Sequence, residues 1–260
     1  MAKPKFPSHL ERDYEKLFSQ AITRLGKSFL PKIKNAYKGS TNITDFKIQL
    51  NKLYDKQLDL IGSKLLLKKV DKEIELVSAW SFSQVKKSVV GLRELTKEQI
   101  REGILINKTD PSYLQFVDKV KVTNRELVQT LGKEYIEGVA DLATDTFASG
   151  GSVQELTSNL LDYTDGDIKK AKFWARDQMG SAYGEFTKQQ QTLAGMKNYI
   201  WRTVGDNAVR EDHEELNGRV FSWSTGAMGT GLLTKPGAAH PGEDYNCRCT
   251  AEPTLKEVTG

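Results

Sequence analysis

From residue 8 to about residue 192, apolar side chains recur at steps of three and four. That spacing puts them on one stripe of an α-helix and leaves little room for strands. Residues 8–38 carry Leu10, Tyr14, Leu17, Phe18, Ile22, Leu25, Phe29 and Ile33 on such a stripe, with Ser8 and Glu11 spaced as a capping box. Pro31 falls inside the pattern and predicts a kink or break near Leu30. A second helix is expected from about Thr44, interrupted at Gly62-Ser63. A third follows with Ile74, Val77, Trp80 and Val85 on one face. Further helical spacing covers 91–106, and Asp110-Pro111 has the cap and first-turn residues of another start. Residues 123–148 repeat the pattern. Ser149-Gly150-Gly151-Ser152 breaks it, and Ser152 with Glu155 forms a second capping box. A loop is expected at Asp162–Asp167, before a helix over 168–192.

After Gly195 the texture changes. Tyr199–Val204 is β-branched and aromatic and reads as a strand; Arg219–Trp223 and Tyr245–Ala251 read as two more. Val209–Leu216 has room for one or two helical turns, stopped by Asn217-Gly218. Residues 225–244 hold five glycines and two prolines, the composition of a mobile loop. The expected fold is therefore mainly α: a long N-terminal helical region followed by a small α+β C-terminal module, divided as 1–150 and 151–260. A chain of 260 residues can bury such a core without disulfides. No apolar run reaches about 18 residues, so no membrane span is expected. The opening MAKPKFPSHLERDYEK lacks an apolar core, so no secretory signal is expected either.

Charge is unevenly placed. Residues 1–100 hold 20 Lys/Arg against 11 Asp/Glu, whereas the whole chain nets only +4. A basic front end fits an acidic partner such as nucleic acid, an anionic membrane or an acidic protein surface, and on charge alone a set of solvated Lys-rich helix faces accounts for it as well. No phosphate-loop or dinucleotide-binding pattern is present.

Chemistry-bearing residue types concentrate in 201–249. His213, His240, Cys247 and Cys249 are nitrogen and thiolate donors of the kind zinc takes. However, Cys247 and Cys249 are separated by one residue where metal sites usually have two to four. Two reduced thiols on opposite sides of a closing strand also account for them. His213 with Arg210 and Asp206 offers acid–base chemistry of a nuclease or hydrolase. The same three residues also suit a capped turn held by salt bridges.

The order of these residues has a family likeness. Trp201, Thr203, Asp206, Val209, Arg210, His213, Leu216, Asn217, Gly218 and Phe221 resemble the bacteriophage Mu F-like minor head protein (head morphogenesis) family. So do Pro241, Gly242, Asn246, Cys247, Arg248 and Cys249. Upstream, Arg176 in Ala175-Arg176-Asp177-Gln178 is similar to the family's helix motif, and Gly195 precedes the Trp strand. The likeness covers roughly 150–253, and the Gly-rich loop 225–237 departs from it. It implies a minor structural protein of a tailed-phage head, without enzymatic activity or cofactor. Its implied place is the virion, with host cytoplasm during assembly. The implied partners are the portal protein, a capsid or scaffold protein and sequence-independent double-stranded DNA, and no membrane. Within the motif it implies structural roles: Trp201 and Phe221 anchor strands, and Asp206, Arg210 and His213 lock the turn between them. Asn217-Gly218 turns the chain, and Cys247-Arg248-Cys249 closes the sheet with Arg248 paired to a carboxylate.

Overall fold

Helix after helix accounts for most of the chain in the computed structural model, which describes residues 3–93 and 109–258. The elements are α1 (Ser8–Gly39), α2 (Ile43–Ile61), α3 (Lys64–Arg93), α4 (Pro111–Ala148) and α5 (Val153–Leu193). Then come β1 (Asn198–Arg202), the short α6 (Glu211–Leu216), β2 (Val220–Ser222) and β3 (Thr250–Thr254). The fold is mainly α with a small α+β C-terminal module, as the periodicity predicts. No helix among the described residues is long and apolar enough to cross a membrane. Of the helical stretch expected over 91–106, residues 94–106 lie outside the described residues.

Local capping chemistry sets most helix ends. Asn42 accepts from the Asp45 amide at 2.9 Å. Asp110 accepts from the amides of Ser112 and Tyr113 at 2.8 and 3.2 Å. Ser152 and Glu155 cap each other reciprocally, at 3.0 and 3.4 Å. Three sequence expectations fail. Ser8 is the first helical residue rather than a cap, and the Glu11 amide donates to the Pro7 carbonyl. Pro31 does not break α1, because it lies on the exposed side while Phe29, Ile33 and Ala36 stay buried and hold both flanks. The loop expected at Asp162–Asp167 is helix. Buried Leu160, Thr164 and Ala171 carry the stripe through, and Asp162 and Asp165 face outward.

The described chain forms two compact units, each drawn from segments before and after residue 150. One comprises Asp13–Lys72 and Lys121–Ala175 and is all helical. Its core includes Tyr14, Phe18, Phe46 and Tyr135, all essentially inaccessible. Tyr14 donates to Asn124 at 2.7 Å, and Phe46 stacks on Phe147.

The other unit comprises Met1–Arg12, Glu73–Val120 and Arg176–Gly260. It contains the sheet, whose order is β2-β1-β3 with both pairings antiparallel. Tyr199 faces Phe221 on one side and Pro253 on the other. Pro253 is tolerated because β3 is an edge strand. One core cluster joins Tyr199, Trp201, Leu216, Phe221 and Trp223 to Cys247, Cys249 and Ala251. Buried Gln191 of α5 ties helix to sheet, donating to the Ala251 carbonyl at 2.8 Å and accepting from the Trp223 indole at 3.2 Å. The closing strand starts later than expected, at Thr250, so Cys247-Arg248-Cys249 is not part of the sheet.

Candidate functional site

Two glycines one turn apart on α5 set the backbone of the site. A Cβ at Gly180 would lie 2.5 Å from the Cys247 carbonyl oxygen, and one at Gly184 would lie 2.3 Å from that of Pro241. Only hydrogen at these positions lets segment 241–247 lie directly on the helix. Asp177, on the same helix and buried, accepts from the Asn246 amide at 2.8 Å and from Lys235 Nζ at 3.2 Å. Asn246 takes a left-handed conformation (φ 48°), and the Cys247 amide donates to the Asp244 carbonyl at 3.1 Å. The cysteines therefore sit in and just after a turn rather than on a strand.

His213 comes from the opposite direction, on α6 between β1 and β2. Its ring is buried, edge-on to Trp201 at 5.8 Å. Nε2 lies 2.9 Å from Asp244 Oδ2, and Arg210 reaches the same oxygen at 2.8 Å. Arg210 Nη2 also lies 2.9 Å from Nε2; in the tautomer that gives the Nε2 proton to the carboxylate, the Nδ1 lone pair faces sulfur. Cys249 Sγ is 3.4 Å from Nδ1 and Cys247 Sγ is 3.7 Å. The three potential ligand atoms lie within 4.8 Å of one another, on three buried residues.

Asp244 is the polar centre of this arrangement. It is fully buried, and each carboxylate oxygen accepts three contacts. Oδ1 takes the Thr234 hydroxyl, the Lys235 amide and the Tyr245 amide at 2.8–2.9 Å. Oδ2 takes Arg210, His213 and the Thr234 amide. Burial alone pushes the Asp244 carboxyl up. The bonds from His213, Thr234 and Lys235 outweigh it and hold the group well below the usual carboxylate range. Burial likewise opposes charge on His213, but Cys247 and Asp244 raise its pKa on balance. The thiols diverge. Cys249 donates to Cys247 and pulls it well below the usual thiol range, with help against burial from His213 and the Gly242 amide at 3.3 Å. The same interaction, with burial, pushes Cys249 up.

The remaining expected residues fall elsewhere in the module. Asp206 is not a partner of His213. It accepts from the Ala208 amide at 3.1 Å and pairs with Arg248 at 2.8–2.9 Å, so the Asp206/Arg210/His213 trio is not assembled. Trp201 is inaccessible at the sheet centre, and Phe221 lies edge-on to it at 6.1 Å. Gly218 has φ +86°, and its amide donates to the Trp201 carbonyl at 2.9 Å. Asn217 closes the same turn, donating to Glu214 at 2.9 Å. His240 stands apart from the cysteines. Its Nδ1 is 3.0 Å from the Tyr199 hydroxyl, and its ring packs on Trp223. Arg176 is exposed, and its neighbour Asp177 is the residue that reaches the loop. The Gly-rich stretch is packed at its two ends, whereas Met228, Gly229, Gly231, Pro236 and Gly237 between them are exposed. Ala227, Ala239 and His240 are buried, and the Ala227 amide donates to the Ala239 carbonyl at 2.7 Å.

Asp244 and the Gly180/Gly184 pair do not figure among the site residues expected from sequence, and Asp177 figures only within the Arg176 helix motif. The glycines carried a signal, since two in mid-helix cost about 1 kcal/mol each and call for a packing reason. Asp244 sits in a segment without periodicity, 31 positions from His213.

The comparisons with known proteins point the same way. An uncharacterized protein of Haemophilus influenzae (strain ATCC 51907 / DSM 11121 / KW20 / Rd) is 27% identical over 148 residues, which is 57% of this chain and 31% of that protein. The chain thus spans about a third of the length of the curated relative it matches. No solved structure matches the chain. A protein family described as Phage Mu protein F like protein matches residues 137–252, a span that encloses β1, α6, β2 and the Asp244–His213–cysteine cluster. Over residues 137–252, a little under half of its length, the chain is therefore similar to the phage Mu protein F-like family.

Proposed function

We propose that the chain is a minor structural protein of a tailed-phage head, seated at the portal and acting in procapsid assembly and in DNA packaging and delivery. The family match over 137–252 carries this reading. On this reading the protein resides in the virion and, during assembly, in the host cytoplasm. Its partners are the portal protein and a capsid or scaffold protein. The net +9 of residues 1–100 is the part suited to double-stranded DNA, by phosphate contact without base readout.

The role proposed is not enzymatic. A nucleophile must meet its substrate, and both thiols are only 3% exposed. The buried carboxylate beside His213 is already saturated with donors.

Deletion in the phage or prophage encoding the chain tests the reading. Heads made without it are expected to lose infectivity or DNA content; heads normal in composition, DNA and infectivity overturn it. For the DNA contact, affinity is expected to fall steeply between low and moderate salt. A salt-independent interaction would place a protein, rather than DNA, on the basic region.

A further inference from the structure

We propose that His213 Nδ1, Cys247 Sγ and Cys249 Sγ bind one zinc ion that closes the C-terminal module. The distances fit. With Zn–S about 2.3 Å and Zn–N about 2.0–2.1 Å, tetrahedral geometry places a sulfur and a nitrogen ligand about 3.6 Å apart. The two sulfurs lie 3.4 and 3.7 Å from Nδ1.

Nδ1 offers one lone pair, so in a purely hydrogen-bonded cluster it meets one thiol proton at most, and the second thiol can bond only to the first. A divalent cation engages all three ligand atoms at once. Its charge also balances two thiolates, which in this buried place are costly without a counter-charge.

The surroundings are those a zinc site uses. Asp244 accepts from the outer nitrogen of the ligating imidazole, fixing tautomer and ring plane. The Gly242 amide donates to Cys247 sulfur. Arg210 and Arg248 lie at the same cavity, but each already has its own carboxylate, Asp244 and Asp206. The fourth position falls to the cavity of about 110 Å³ beside the three ligands, which holds a water with room to spare. Asn246 lines that cavity, and its buried Oδ1 has no hydrogen-bond partner in the protein, so it is placed to accept from such a water. The ion would join α6 to the segment leading into β3, linking His213 to ligands 34 and 36 residues away by a bond the sheet does not supply.

The test uses the full chain, expressed with added zinc and purified without chelator. Elemental analysis is expected to give one zinc per chain. Cobalt substitution is expected to give the thiolate charge-transfer band and the visible bands of tetrahedral cobalt. Stripping the ion should lower Tm by roughly 5–15 °C, and zinc should restore it. Cys247→Ser and Cys249→Ser should each lose stoichiometric zinc, Asp244→Asn should weaken binding roughly 10–100-fold, and His240→Gln should keep one equivalent. Should the cysteine variants not fold, the wild-type stoichiometry and cobalt spectrum decide alone. Wild-type protein with no bound zinc and no tetrahedral cobalt spectrum overturns the proposal, as does a Cys247–Cys249 disulfide in the freshly purified chain.

Discussion

Replacing Asp244 by Asn keeps the shape of the side chain and removes its charge and half of its acceptor capacity. Each carboxylate oxygen accepts three contacts, so an amide NH2 in place of either one sets a donor against three donors. On one side these are Arg210, His213 and the Thr234 amide. On the other they are the Thr234 hydroxyl and the amides of Lys235 and Tyr245. Removing one partner of a buried charged network costs roughly 3–5 kcal/mol, because the groups left behind cannot return to water. That corresponds to a fall in Tm of roughly 6–20 °C at pH 7 for a chain of this size.

The pH dependence adds a second constraint. The folded Asp244 carboxyl lies below its ordinary value, so its contribution to stability is complete above the unfolded value of about 3.9. It is lost as pH falls from there through the folded value. Wild type and Asp244→Asn should therefore differ most near neutrality and converge below about pH 4. Thermal unfolding followed by circular dichroism and by Trp201 and Trp223 fluorescence measures both. A difference under about 2 °C at pH 7, or one that widens on acidification, would refute the placing of Asp244 at the centre of the module.

Three further outcomes follow from particular residues. Gly184→Ala puts a methyl group 2.3 Å from a backbone oxygen and should destabilise by roughly 1–3 kcal/mol, whereas exposed Gly166→Ala meets nothing and should stabilise by roughly 0.5–1 kcal/mol; equal effects in urea unfolding would contradict the close approach on α5. Pro31→Ala restores a helix hydrogen bond on an exposed face and should stabilise by roughly 1–3 kcal/mol, with loss of stability as the contrary result. Burial lowers His240 to about 4, so its ring stays neutral through mild acid, and stability declines as pH falls from about 6.5 to about 4. Proton NMR showing His240 titrating near 6.5 would refute that burial.

The helical part of the chain was legible because period, caps and breakers are local. Asp110 and the Ser152/Glu155 box each act within three residues. Two of the errors there share a cause: buried neighbours such as Phe29 and Ile33, or Leu160 and Thr164, override a local breaker that faces solvent. The strands β1 and β2 and the turn at Asn217-Gly218 were legible for the same local reasons. The site was only half so. His213, Cys247 and Cys249 could be picked out by residue type, but their convergence depends on two features without a local pattern. One is the left-handed turn at Asn246, which takes the cysteines out of the expected strand. The other is Asp244, buried in a glycine-rich stretch that reads as mobile and is in fact wrapped around it.

The proposed seat at the portal is tested by quantitative mass spectrometry of purified DNA-filled heads, followed by dissociation of the capsid shell. The chain is expected in low copy relative to the major capsid protein, and it is expected to stay with the portal when the shell is removed. Its absence from purified heads, or its release with the shell while the portal is recovered without it, would overturn the proposal.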